Sequence, residues 1–213
     1  DDLAPVGAVG VLVSTFANNS NISDLDTSNP KGLAIIGADS THGTWYYTTD
    51  GGLNWSSFTA SESIARLLKA DSSTRLYFKP LANWFNSTPL ASALTIRAWD
   101  SSSGANGGTE NITLTGTGGS TAFSTASDTI TLSVNYQNDA PTTTNGLTLG
   151  AFTEDDTNTA WTKLSSAAFD YSDALDNQLS NGGGNLYSSF TYLAVVGSTA
   201  VSYTHLTLPT ILL

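Results

Sequence analysis

The chain has 213 residues, with seven Lys and Arg against 18 Asp and Glu, and its net charge of -11 argues against nucleic acid or anionic membrane as partners and for cations. It has no cysteine, so no disulfide framework holds it, and no stretch is long and apolar enough to cross a bilayer as a helix. Hydrophobic residues make up 39%, enough for a β core, while Gly, Ser, Thr and Asn crowd the chain at the expense of strong helix formers; an all-β protein of one large or two ordinary domains is expected.

In chain order, Val9-Gly-Val-Leu-Val13 is a short apolar run of the kind that opens a β-sandwich, and residues 18–26 are too polar and turn-prone to be other than loop. Gly32-Leu-Ala-Ile-Ile-Gly37 reads as a buried strand. Gly43-Thr-Trp-Tyr-Tyr-Thr48 should pair with Trp55-Ser-Ser-Phe58 across Asp50-Gly51-Gly52, because Asp-Gly between β-rich runs favours a hairpin turn. Thr59-Ala-Ser-Glu62 has capping-box spacing, and Ile64, Leu67 and Leu68 after it would share one helical face, which predicts a turn or two of helix. Arg75-Leu-Tyr-Phe78 and Leu94-Thr-Ile-Arg-Ala-Trp99 return to strand. Residues 101–127 are rich in Gly, Ser and Thr, with strand-like alternation only in Asn111-Ile-Thr-Leu-Thr115, and predict a hairpin or an extended excursion.

Ile130, Leu132 and Val134 then alternate with Thr131, Ser133 and Asn135, the period of a strand with one face buried. The strand stops at Asn138-Asp-Ala-Pro141, where proline has no amide to give a ladder and holds Ala140 extended, so a short, stiff linker follows. Beyond it the chain starts again. Asp155-Asp156 echo Asp1-Asp2, Phe169 echoes Phe16, Ala174-Leu-Asp176 echoes Asp24-Leu-Asp26, and Leu193-Ala-Val-Val-Gly197 echoes Leu33-Ala-Ile-Ile-Gly37. Matches in constant order are the mark of a tandem array. The expected organisation is a complete repeat over 1–139, the front of a second, truncated repeat over 140–201, and a non-native tail over 202–213, where the composition changes abruptly and looks like translated sequencing-adapter read-through. The lack of any Met is what a piece of a longer protein would show.

Leu94-Thr-Ile-Arg-Ala-Trp-Asp100, Thr129-Ile-Thr-Leu-Ser-Val134, the Asn138-Asp-Ala-Pro141 linker and the loop Pro80-Leu-Ala-Asn-Trp-Phe-Asn86 together resemble the cadherin-like repeats strung through giant bacterial surface adhesins of the RTX and biofilm type. The resemblance implies an all-β, Greek-key β-sandwich of cadherin or immunoglobulin kind. It also implies an extracellular, secreted or cell-surface protein that supports adhesion or biofilm formation. Its partners would be neighbouring repeats of the same chain, with host or surface glycans engaged by other domains. The cofactor it implies is Ca2+, a hard cation that takes about six to eight oxygen ligands and so needs carboxylates brought together at inter-repeat junctions. On that arrangement Asp2, with Asp1, and Asp100 of the first repeat would join Asn138 and Asp139 of the linker and Asp173 and Asp176 of the second repeat. Asp24 and Asp26 would complete a site with a preceding repeat, and Glu154 and Asp155 one with a following repeat.

The sequence carries two other patterns. Thr48-Thr-Asp-Gly-Gly-Leu-Asn-Trp55 fits the Asp-box of sialidase-like propellers except at Asn54; it occurs once, and is read as a structural hairpin with Trp55 in the core. Trp45, Tyr46, Tyr47, Trp84, Phe85 and Trp99 would form a sugar platform if they lined one exposed face, which is the basis of the alternative reading, a carbohydrate-binding module accessory to a secreted enzyme. No enzymatic activity is expected of the chain itself: His42 stands alone in a turn, His205 lies in the tail, and the sequence has no His-Glu-x-x-His, Gly-x-Ser-x-Gly or phosphate-loop motif.

Overall fold

The computed structural model describes residues 3–17, 22–23 and 31–137, and the backbone of two further short strands. Most of the 18–26 loop, and the stretches expected to form the linker, all but those two strands of a second repeat, and the tail, lie outside the described residues. The chain divides into two compact units, Asp1–Pro141 with Asp173–Ser188, and Thr142–Ser172 with Ser189–Leu213. In the second, Thr142–Thr143 pairs antiparallel with Tyr171–Ser172.

The first unit is an antiparallel β-sandwich. Its strands are β1 (Val11–Leu12), β2 (Gly32–Ala38), β3 (Gly43–Thr48), β4 (Ser56–Phe58), β5 (Ala65–Lys69), β6 (Arg75–Pro80), β7 (Leu90–Trp99), β8 (Thr109–Glu110) and β9 (Phe123–Leu132), with one short helix, α1 (Ile112–Thr115). One sheet has the order β1-β6-β3-β4 and the other β8-β5-β2-β7-β9. The neighbours β2–β5 and β3–β6 match the B–E and C–F pairs of an immunoglobulin sandwich. The strand after β6 departs from that order: β7 crosses to pair with β2 and β9, where the immunoglobulin order would set it beside β6.

Strand β2 is buried on both faces. Its Leu33 and Ile35 face the other sheet, in a core with Val13, Trp45, Phe58, Leu68, Leu76 and Leu94. Ala34 and Ile36 point the other way, into a second apolar cluster with Ala65, Leu67, Trp99, Ile112, Ala122 and Phe123. A strand buried on both faces is apolar without alternation, as its sequence is. The outer cluster is covered by α1 and the segment 101–122. The expected hairpin or extended excursion is therefore a cap, and its run of alternating residues forms α1, preceded by Asn111 and with its Ile112 buried.

The helix expected after the capping box is strand β5. Helical spacing would put Leu67 and Leu68 on one face, whereas the strand sends them to opposite faces, one into each cluster, and both are 0% exposed. Burial on two sides and ladders to β2 and β8 outweigh the local preference. Glu62, the would-be capping acid, instead pairs with Arg97 at 2.9 Å. The hairpin β3–β4 forms in the expected place, with Trp45 opposite Phe58. In β9 and just beyond it, Ile130, Leu132 and Val134 are half-buried and Thr131, Ser133 and Asn135 exposed, the expected alternation.

The registers define two ends of the sandwich. Trp99 lies opposite Gly32 and Phe123, and Leu90 opposite Leu132. The first end carries the turns 48–55 and 71–74 and the loop that follows Trp99. The second carries the turn 39–42, the loop 81–89 and the end of β9. Gly7 packs against Gly52 at the first end, where a Cβ on Gly52 would lie 2.0 Å from the Gly7 carbonyl oxygen. Tyr136 stacks edge-on against Phe85 at the second, with centroids 5.2 Å apart. The chain thus arrives at one end and leaves from the other.

Candidate functional site

Of the residues expected to hold calcium, Asp100 is the one within the described residues. Asp2, Asp24, Asp26, Asn138, Asp139, Glu154, Asp155, Asp173 and Asp176 lie outside them, as does Asp1. Asp100 follows β7 at the first end. Its Oδ1 accepts the Ser102 N–H at 2.8 Å and the Ser102 hydroxyl at 2.7 Å, and its own N–H donates to the Ala122 carbonyl at 3.1 Å. Ser101, between them, takes a left-handed φ of 63°, which turns the chain sharply away from the sheet. Beside Asp100 is a cleft of about 220 Å³ lined in part by Ile22, Ser23, Lys31 and Trp99.

Asp100 lies at the end of the sandwich opposite to the one where β9 ends, and the linker residues 138–141 with which it was expected to group lie outside the described residues. The exit strand leaves the opposite end of the sandwich, nine residues of β7 away, or about 30 Å at the rise of a strand. The physical reason is that β7 and β9 are antiparallel, so the residue after β7 lies level with the start of β9. At its own end Asp100 shares the cleft with Ile22 and Ser23. Among the described residues, no three or more His, Cys, Asp or Glu side chains are grouped to hold a metal ion.

Two further carboxylates at the first end organise turns. Asp50 Oδ1 accepts the Thr48 hydroxyl at 2.6 Å and the Asn54 N–H at 3.0 Å, and Oδ2 accepts the Asn54 amide at 2.7 Å. The Thr48 hydroxyl and the two Asn54 donors hold this carboxyl well below the usual carboxylate range. The Asp-box stretch is thus a structural hairpin, and Asn54 serves as a donor to its Asp. Trp55 is not in the core: it is half-buried, its ring lies 6.1 Å from Tyr77, and its indole N–H donates to the Gly7 carbonyl at 3.0 Å. Three residues before the inward-facing Phe58, Trp55 falls on the opposite side of its sheet, and it clips the N-terminal segment from outside. Asp71 caps the second turn. Burial raises its pKa, but the N–H groups of Ser73 and Thr74 outweigh that and hold it below the ordinary value.

The second end has its own polar device. Asn86 behaves as a short stretch of strand: its N–H donates to the Val134 carbonyl at 3.1 Å, its Oδ1 accepts the Val134 N–H at 2.7 Å, and its amide donates to the Leu132 carbonyl at 3.0 Å. The residues around it are pinned by Trp84 and Phe85, both buried, and Asn83 takes a left-handed φ of 59° to turn both rings inward. His42 donates from Nδ1 to Asp39 Oδ2 at 2.5 Å, and its ring centroid is 4.9 Å from that of Trp84. Sequence reasoning missed these roles. The Asp39-Ser-Thr-His42 spacing and the Asn residues flanking two aromatics were the available signals.

The aromatic face required by the alternative reading does not form. Trp45, Trp84, Phe85 and Trp99 are each 7% exposed or less. Tyr46 and Tyr47 are half-buried and, as strand neighbours, point to opposite faces of their sheet.

Fold and site together define an all-β sandwich with distinct polar turns at its two ends. Compared with protein-family models, with curated proteins and with solved structures, the chain matches none.

Proposed function

We propose that this chain is a structural extender segment of a secreted or cell-surface bacterial adhesin, in which tandem β-sandwich repeats are stiffened at their junctions by calcium. The observation that carries the reading is the arrival of the chain at one end of the sandwich and its departure, clamped by Asn86 and Phe85, at the other. A module threaded in this way adds its full length to an array. The internal echoes after Pro141 and the proline-stiffened linker support the array itself.

The donors suit a hard cation. The acids of the junction stretches are carboxylates and amide oxygens without a sulfur or a histidine among them, the set that selects calcium over softer metals. Asn138 and Asp139 with Asp173 and Asp176 would supply one junction, Glu154 and Asp155 would face a following repeat, and Asp2, which precedes the segment held at the first end, would go with the junction toward a preceding repeat. Asp100 is reassigned to the junction toward a preceding repeat, with Asp24 and Asp26. Bound calcium would supply a charge that turns mutual repulsion of these carboxylates into cross-bridging.

The test is solution scattering and thermal melting of the whole chain with calcium and with chelator. Chelation should increase bending and lower the melting temperature, and Asp139→Ala should reproduce much of the effect. An unchanged profile and melting point would remove calcium from the reading. A normal calcium response in the variant would remove the linker from the site.

A further inference from the structure

We infer that residues 3–12 form a strap that tension releases before the sandwich opens, giving the module a small reserve of length. The inference rests on the reading of the chain as an extender, and it starts from the direction in which each end of the module is held.

The strap is a hook. At the first end the Gly7 carbonyl accepts the Trp55 indole N–H at 3.0 Å and the Val9 N–H at 2.9 Å. The chain then runs inward to Gly10, which lies so close to β6 that a Cβ there would meet the Leu76 carbonyl oxygen at 2.2 Å, and whose φ of 72° reverses its course. From Gly10 it returns toward the first end as β1, with Val11 opposite Leu76 and Leu12 opposite Arg75. The Arg75 guanidinium also donates to the Gly10 carbonyl at 3.3 Å. Little apolar surface holds the hook: Leu3 is 83% exposed, Val6 82%, Val9 40% and Val11 46%, although Pro5 is buried. Firm anchoring begins at Val13, which is 0% exposed and donates its N–H to the Thr74 carbonyl at 3.0 Å.

Pulling the N-terminal side outward from the first end therefore loads the Gly7 clip, then Gly10, then the two ladder pairs of β1 in turn. Each gives way before the next bears the force. The other end is held differently. Strand β9 runs toward the second end and leaves in the direction it runs, so tension draws it lengthwise along β7 and its paired residues, from Trp99–Phe123 to Leu90–Leu132, resist together. Asn86 adds three bonds to the same strand. Bonds broken one at a time fail at lower force than bonds broken at once, so the hook opens first while Val13 keeps the core closed.

The experiment is single-molecule stretching of the full chain between its N-terminus and a thiol introduced by Gln137→Cys, unique because the chain has no cysteine. The expected record is a small reversible extension of about 20 Å, six residues from 7 to 12 drawn out at about 3.3 to 3.6 Å each, ahead of the main rupture. Trp55→Ala should lower the force of that first extension and leave the main rupture where it was. A single rupture with no earlier step, or a variant in which both events shift together, would overturn the inference. Hydrogen exchange of the unaltered chain gives a second readout, with the amides of residues 9–12 expected to exchange through a smaller opening than those of β7 and β9. Equal protection would count against the strap. Because both measurements are made without added calcium, their failure is distinct from failure of the calcium response.

Discussion

Asp50 is half-buried, and its carboxylate gathers the Thr48 hydroxyl and both Asn54 donors and so closes the β3–β4 turn. Its pKa is lowered in the folded chain, so its contribution is present above the ordinary carboxylate value of about 3.9 and is lost as pH falls through the lowered one. Asp50→Ala should reduce the melting temperature at neutral pH, and the gap from the parent should narrow as melts are repeated into strong acid. Asp39 and Asp71 are also lowered, burial opposing the shift in each and hydrogen bonds from His42 and Thr41, or from Ser73 and Thr74, prevailing. Acid unfolding should therefore set in below the normal carboxylate range; an acid midpoint well above it would contradict these assignments.

At the scale of elements, β5 and the exit clamp carry the clearest expectations. Leu67 and Leu68 each sit in a different cluster at 0% exposure, so Leu67→Ala and Leu68→Ala should each cost about 2–5 kcal/mol in urea unfolding. A cost well below that range for either variant would mean that the cluster it belongs to is not packed around β5. Asn86→Ala strips the Val134 N–H and the Leu132 carbonyl of their partners, which should cost about 1–3 kcal/mol and speed exchange of the Val134 amide. Protection unchanged at Val134 would mean that the exit strand is held by the Phe85–Tyr136 contact rather than by the amide.

For the whole molecule, function depends on where the chain arrives and leaves. Thiols introduced by Val6→Cys and Gln137→Cys, both at exposed positions, would report that span by spin-label distance measurement. They should stand about 30 Å or more apart, since β7 and β9 separate the ends by nine residues of strand. Labels close together would describe a module that folds back on itself and could not lengthen an array.

The sequence by itself determined the all-β class, strand β2, the Asp50 hairpin and the alternation in β9, because each follows from local chemistry: a continuous apolar run, a turn-forming Asp-Gly, a period of two. It also displayed the Asn138-Asp-Ala-Pro141 linker and the echoes beyond it. Only the tertiary structure decided that Leu67 and Leu68 face opposite ways, that Ile112–Thr115 is a helical cap, and that Trp55 clips the N-terminal segment from outside. It also decided that Asp100 and the exit strand belong to opposite ends. These outcomes depend on which strands lie side by side and on what covers the second face of a sheet, and such pairings join residues far apart in the chain, where neighbouring side chains leave no trace of the choice.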